Sequence, residues 1–312
     1  MNTITTEQNT EKQLKRLAAQ RQLYATAKKV FGWQIFLSSV GVTAAFMVIL
    51  ITPSLKVYAA LWGLIVVLID LLVLGPWQKR LQTSAASIQE VFDCEVLSLP
   101  WSNLKAGKHP DPELVSEQSA KYSKWAHTMP PLNNWYSIEV EKIPLTIARI
   151  ACQRSNCWWD SKQRKRYAVS LIIVEVGIVL MAVVLGIYQG FTISDFILII
   201  LAPFAPALVL GIKQYKEQIE AASRLDKLKE HAEKHWDDAL NGKSEKQLTK
   251  AARELQDEIL ESRKRNPLVF DWVFKLLRRS YEAQMNMSTA ELVAEAELKI
   301  KRKQKASDKR VV

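Results

Sequence analysis

Four apolar stretches in two close pairs limit what this chain can fold into: Phe31–Thr52 with Val57–Gly75, and Ala168–Tyr188 with Ile193–Ile212. Each holds about the 20 residues that a helix needs to cross the hydrocarbon core of a bilayer. Core helices of soluble proteins carry an apolar stripe, whereas these runs are apolar all round. The pattern predicts an all-α membrane protein with four transmembrane helices in two hairpins and a mainly helical cytosolic region. Basic residues set the orientation. Lys28 and Lys29 precede the first stretch, and Lys79 and Arg80 follow the second. Lys162, Arg164, Lys165 and Arg166 precede the third, and Lys213 and Lys216 follow the fourth. The connectors 53–56 and 189–192 hold one lysine between them, Lys56. By the positive-inside rule both termini and the long middle segment are cytosolic.

This divides the chain into an N-terminal cytosolic helix (1–30), a first transmembrane hairpin (31–75), a cytosolic sensor segment (76–166), a second hairpin (167–212) and a cytosolic helical tail (213–312). The first stretch lacks a small-residue cleavage site, so a removable signal peptide is not expected. The net charge of +11 lies on segments that face an anionic leaflet, and lipid attraction accounts for it. A lipid bilayer is therefore an expected partner and a long nucleic acid is not. Cys94, Cys152 and Cys157 fall in the cytosolic segment and are expected to be free thiols.

Leu14, Leu17, Arg21 and Tyr24 recur at helical spacing in an N-terminal helix that runs into the first stretch. Gly32, Gly41, Ala44 and Ala45 offer that stretch small faces for close helix contact. Gly75-Pro76 reads as a helix stop, with helical spacing resuming from Leu81. Asp111-Pro112-Glu113 opens a helix that Pro130-Pro131 ends. Another starts near Pro144 and continues into the third stretch. Pro203 and Pro206 predict a kink in the fourth. The next helix runs to about Asn241-Gly242, and Ser244 with Gln247 caps one that ends before Asn266-Pro267.

Asp70 and Glu175 carry charge inside apolar stretches, where carboxylates usually face a bundle interior or water. They lie roughly 9 and 12 Å from the cytosolic ends of their spans, with Gln34 and Ser38 near the same level. Gln34, Ser38, Asp70 and Glu175 are the candidate pore lining. Repeated around a homo-oligomer, they would form a ring favouring cations. The competing reading has both carboxylates hydrated at the headgroups or paired with nearby Lys and Arg. Asp195 reads as an interfacial residue.

Trp135, Arg149, Gln153, Arg154, Asn156 and Trp159 form the candidate ligand set. Aromatic faces stack on bases, guanidinium groups hold phosphates and amides read base edges. For Trp158 and Trp159, near the third stretch, an interfacial aromatic belt is the stronger reading. His231 and His235 stand four apart without a third metal ligand beside them. No Gly-rich phosphate loop, Ser-His-Asp arrangement or HExxH motif occurs. Neither a cofactor nor an enzymatic activity is expected.

Several short runs carry a resemblance. They are Gln20-Arg21-Gln22-Leu23-Tyr24, Phe92-Asp93-Cys94-Glu95-Val96-Leu97 with Leu99-Pro100-Trp101, Trp135-Tyr136, and Cys152-Gln153-Arg154-Ser155-Asn156. Trp159-Asp160, Arg166-Tyr167, Asn266-Pro267 and Asp271-Trp272 complete the series. In this order, with two hairpins, they resemble the bacterial four-transmembrane pore-forming effector family associated with cyclic-oligonucleotide (CBASS) anti-phage immunity. The resemblance implies a dormant, multi-pass inner-membrane protein. A cyclic oligonucleotide would switch it on, after which it oligomerises and breaches the membrane. Two other readings stay open: a cation channel not gated by nucleotide, and a non-conducting anchor whose tail recruits a partner.

Overall fold

A computed structural model describes residues 2–37, 56–197 and 202–311, and among these every regular element is helical. The principal helices are α1 (Ile4–Glu7), α2 (Glu11–Ile35), α3 (Lys56–Ile69), α4 (Gly75–Val96) and α5 (Pro112–Ser123), then α6 (Leu145–Tyr188), α7 (Ala202–Leu240), α8 (Glu245–Arg265) and α9 (Asp271–Val311). Local chemistry sets most of their ends. Pro112 stands in the first turn of α5 behind the extended Asp111, where its missing N–H forfeits no bond. Helix α7 stops short of Gly242, whose φ of +96° suits glycine. Asn266 is held extended by the proline after it, and that ends α8. Ser244 and Gln247 meet through their side chains at 2.9 Å at the start of α8.

Gly75-Pro76 does not stop a helix. A π turn, Asp70–Leu74, carries α3 straight into α4. Its wider winding brings the Asp70 carbonyl so close to Gly75 that a Cβ there would sit 3.1 Å from it. Glycine tolerates that approach, and Pro76, which follows it in α4, sits where the wider turn already interrupts the regular i→i−4 ladder.

The main core gathers Ile4, Leu17, Phe92, Val96, Ile150, Trp236, Ile259 and Val293 from α1, α2, α4, α6, α7, α8 and α9. Ala19 and Leu23 of α2 pack on Ala85 and Ile88 of α4, with Leu114 and Val115 of α5 against them. Helices α6 and α7 are antiparallel: Arg164 bonds Gln218, Ser161 bonds Asp226 and Arg154 bonds Glu233.

At 44 residues, α6 is about 66 Å long. Among the described residues it is the one helix long and apolar enough to cross a membrane, and only 6% of its apolar window is buried. Leu64, Val67 and Leu68 of α3 and Leu71 and Leu72 of the π turn are also exposed. Residues 38–55 and 198–201 lie outside the described residues. So do Gly41, Ala44 and Ala45, and so does Ser38.

Candidate functional site

A cavity of about 320 Å³ lies between α2, α6, α8, α9 and the 129–135 loop, within the usual range of ligand clefts. Helix α2 gives it Gln20, Arg21, Tyr24 and Lys28, and the 129–135 loop gives Asn133, Asn134 and Trp135. Helix α6 presents Asn156, Trp159, Asp160, Gln163 and Arg164 at three- and four-residue spacing, hence on one face. Arg263 ends the wall from α8, and Phe274, Arg278 and Glu282 enter from α9.

Five cations thus face three carboxylates across one space. Four of the cations are engaged by acids. Lys28 meets Asp271 at 2.5 Å, Arg164 meets Asp160 at 3.0 Å and Arg263 meets Asp93 at 2.5 Å, while Arg278 pairs with Glu282. Arg21 differs. Among the described residues it bonds only neutral groups, the Tyr122 hydroxyl at 3.3 Å and the Pro130 carbonyl at 3.0 Å. Its guanidinium carbon lies 5.6 Å from the centre of the Phe274 ring, a cation–π distance.

A buried network holds the back of this wall. Asp93 and Glu90 are fully buried. Asp93 accepts from the Tyr136 hydroxyl at 2.6 Å, from Gln256 at 2.9 Å and from Arg263 at 2.5 Å. Glu90 accepts from Arg253 at 2.6 Å and from Gln256 at 2.8 Å, and Asn156 donates to the Tyr136 oxygen at 3.0 Å. Burial works against the Arg263 cation, yet Asp93, Tyr136 and Glu90 hold its pKa above the ordinary guanidinium value. Burial pushes the Tyr24 phenol up to about 12 and the Cys157 thiol up to about 12. The wall therefore presents neutral hydroxyl and thiol groups beside fixed cations. Asn134 sits at φ +54°, held there by Asn9, which accepts its backbone N–H at 2.9 Å.

Of the sequence-derived ligand set, Trp135, Asn156 and Trp159 line this cavity. Arg149, Gln153 and Arg154 do not. Arg149 is buried and bonds Thr249 at 3.3 Å. Gln153 is fully buried and donates to the Ala252 carbonyl at 2.8 Å and to Gln256 at 3.0 Å. Arg154 pairs with Glu233 at 2.8 Å. Arg149 is about 10 Å up α6 from Asn156, where α8 closes over it, and Arg154 points to the α7 side. Arg21, Lys28, Arg263, Asn266 and Arg278 were not foreseen as cavity residues. The runs Gln20–Tyr24 and Asn266-Pro267 carry the family resemblance, but nothing in their spacing ties them to α6.

A second cavity, of about 480 Å³, lies toward the apolar stretches. Gln34 and Asp70 line it with Gln78, Lys79, Leu210 and Gln214, and Gln34 donates to Asp70 at 2.7 Å. Glu175 does not line it. Its carboxylate lies against Gly211 of α7, in space a Cβ would fill, and one oxygen is buried without a hydrogen-bond partner among the described residues. Ser38 falls outside the described residues. No group of metal-binding side chains occurs among the described residues, and Cys94, Cys152 and Cys157 are free and buried.

Comparison with known sequences fits this helical plan. The family model described as "SMODS-associating 4TM effector domain" matches residues 2–292. The chain belongs to that family. A relative from Bacillus cereus (strain VD146) carries the name "Probable CBASS effector molecule". It is 24% identical over 290 residues, covering 89% of this chain and 94% of its own. No solved structure matches. The SMODS-associating 4TM effector match spans every helix from α1 to α8 and much of α9, so both cavities fall within it.

Proposed function

We propose that this protein is a membrane effector of CBASS anti-phage defence, held closed until a cyclic oligonucleotide enters the 320 Å³ cavity. Four transmembrane helices in two hairpins, both termini cytosolic, would then assemble in a homo-oligomer and breach the inner membrane. The family match and the relative's name support the effector role. The observation that carries the ligand reading is the cavity's composition. Trp135 and Trp159 supply stacking faces, Asn133, Asn134, Asn156 and Gln163 supply amides, and cations outnumber carboxylates. Arg21, with no acid beside it among the described residues, is the phosphate anchor in this reading. Entry of further phosphates would exchange the Lys28–Asp271 and Arg278–Glu282 pairs for ligand contacts.

The test is equilibrium binding of cyclic di-AMP, cyclic GMP–AMP and cyclic tri-AMP to full-length protein in detergent, followed by dye leakage from liposomes. Arg21→Ala and Trp159→Ala should each weaken binding about 10- to 100-fold, the worth of one phosphate or stacking contact. Arg154→Ala, outside the cavity, should leave binding unchanged. Equal binding by all three variants removes the cavity as the site. The Gln34–Asp70 pair in the second cavity favours a second reading, a cation channel without nucleotide control. Leakage that is constant with and without nucleotide would select it.

A further inference from the structure

The two cavities share a wall. Asn266, Pro267 and Leu268, with Gln82, line both. These residues begin the non-helical segment Asn266–Phe270, which joins α8 to α9. Four helices grip it. From α4, Gln82 donates to the Asn266 carbonyl at 2.8 Å. From α6, Arg164 donates to the Pro267 carbonyl at 2.7 Å. From α7, Gln218 donates to the Leu268 carbonyl at 3.0 Å, and Arg224 to the Asn266 side-chain oxygen at 3.2 Å. From α2, Phe31 stacks on Phe270 at 5.4 Å and packs with Leu268.

Helices α2, α4, α6 and α7 are the ones that adjoin the four apolar stretches, one each. The segment therefore links the wall of the first cavity to all four of them. Arg164 is the hinge of the arrangement. The same terminal nitrogen bonds Pro267 and, at 2.8 Å, the oxygen of Gln218, while its side chain also lines the first cavity. A phosphate there competes with a neutral carbonyl for a guanidinium, and the charge-assisted bond is the stronger. The Asn266 amide nitrogen is already buried without an acceptor among the described residues, so part of the grip is left unsatisfied.

We propose that Asn266–Phe270 is a latch. It holds the four membrane-directed helices together at rest, and an anionic occupant of the first cavity loosens it by drawing Arg164 off Pro267. The proposal rests on the reading of that cavity as the nucleotide site. Ligand binding shifts such an equilibrium only by binding the released state more tightly, which the freed guanidinium would provide.

Phe270 and Gln218 hold the latch without lining either cavity. Full-length Phe270→Ala and Gln218→Met would be reconstituted in phosphatidylethanolamine–phosphatidylglycerol vesicles loaded with a self-quenching dye. Both should leak without nucleotide at least about tenfold faster than the unmodified protein, the effect of roughly 1.4 kcal/mol on a two-state balance. Affinity for the cyclic dinucleotides should not fall and should rise by up to about the same tenfold, because they bind the released state more tightly. Wild-type basal leakage with a wild-type nucleotide response overturns the latch, and so does absence of leakage from every variant. If the unmodified protein binds none of the nucleotides while Phe270→Ala leaks, the ligand reading fails and the latch stands. Should Phe270→Ala aggregate in detergent, Gln218→Met decides alone.

Discussion

Replacing Asp93 by asparagine removes one charge and almost no volume from the wall behind the first cavity. Asp93 is fully buried and takes three donors, from Tyr136, Gln256 and Arg263. The Arg263 side chain is 11% exposed. Once its counterion is gone, little water can replace it. Leaving one member of a buried ion pair alone costs about 3–5 kcal/mol. Asparagine also keeps one acceptor where the carboxylate had two, so one donor is stranded at about 1–3 kcal/mol more. Against a typical total of roughly 5–15 kcal/mol this is a severe loss. At about 2–4 °C per kcal/mol for a large domain, Tm should fall by about 8 °C or more.

Far-ultraviolet circular dichroism during heating of the full-length protein in detergent reads this directly. A second arm uses Asp93→Leu with Arg263→Met. Removing both charges should recover most of the loss, since apolar replacement of a buried pair is often neutral. The double variant should nonetheless stay below the parent protein, because Tyr136 and Gln256 still lose an acceptor. A Tm within about 3 °C of the parent for Asp93→Asn, or additive losses in the double variant, would refute the view that this network is a coupled unit.

Gly211→Ala places a methyl group where the Glu175 carboxylate lies, so the α6–α7 contact should weaken by about 1–3 kcal/mol. Thermal unfolding should show the loss, and adding Glu175→Ala should reverse most of it. Glu95 ties α4 to α2 through Lys12 at 2.8 Å and Arg16 at 2.6 Å. Partial burial works against its charge, but the hydrogen bonds from Arg16 and Lys12 outweigh it and lower its pKa to about 2. The stability this adds is fully present above its unfolded pKa near 4.5 and is lost as pH falls toward about 2. Screening at this half-exposed carboxylate limits it to about 1 kcal/mol. Unfolding followed from pH 6 to pH 3 should lose that slope in Glu95→Gln.

Helix ends were legible because their causes are local. Proline at 112, 144 and 267 and glycine at 242 act on their own neighbours, whatever the rest of the chain does. Gly75-Pro76 misled because the same two residues serve a stop and a π turn equally well. Only the fit of α3 and α4 to their surroundings selects between them. Within the candidate ligand set, residue type drew equal attention to Arg154 and Asn156. Two positions apart on one helix, they face opposite sides, and only Asn156 reaches the cavity.

The helical class, the apolar stretches, their flanking charges and the family are legible along the chain. Each of these is written in periodicity, composition or an ordered series of short runs, and none needs a distant partner. Which polar residues meet follows from helix packing. Arg21 and Arg263 are more than two hundred positions apart, yet they face one cavity. Asn266–Phe270 reads as a mere interruption until α2, α4, α6 and α7 close around it. Packing brings these groups together, and no local spacing encodes their meeting.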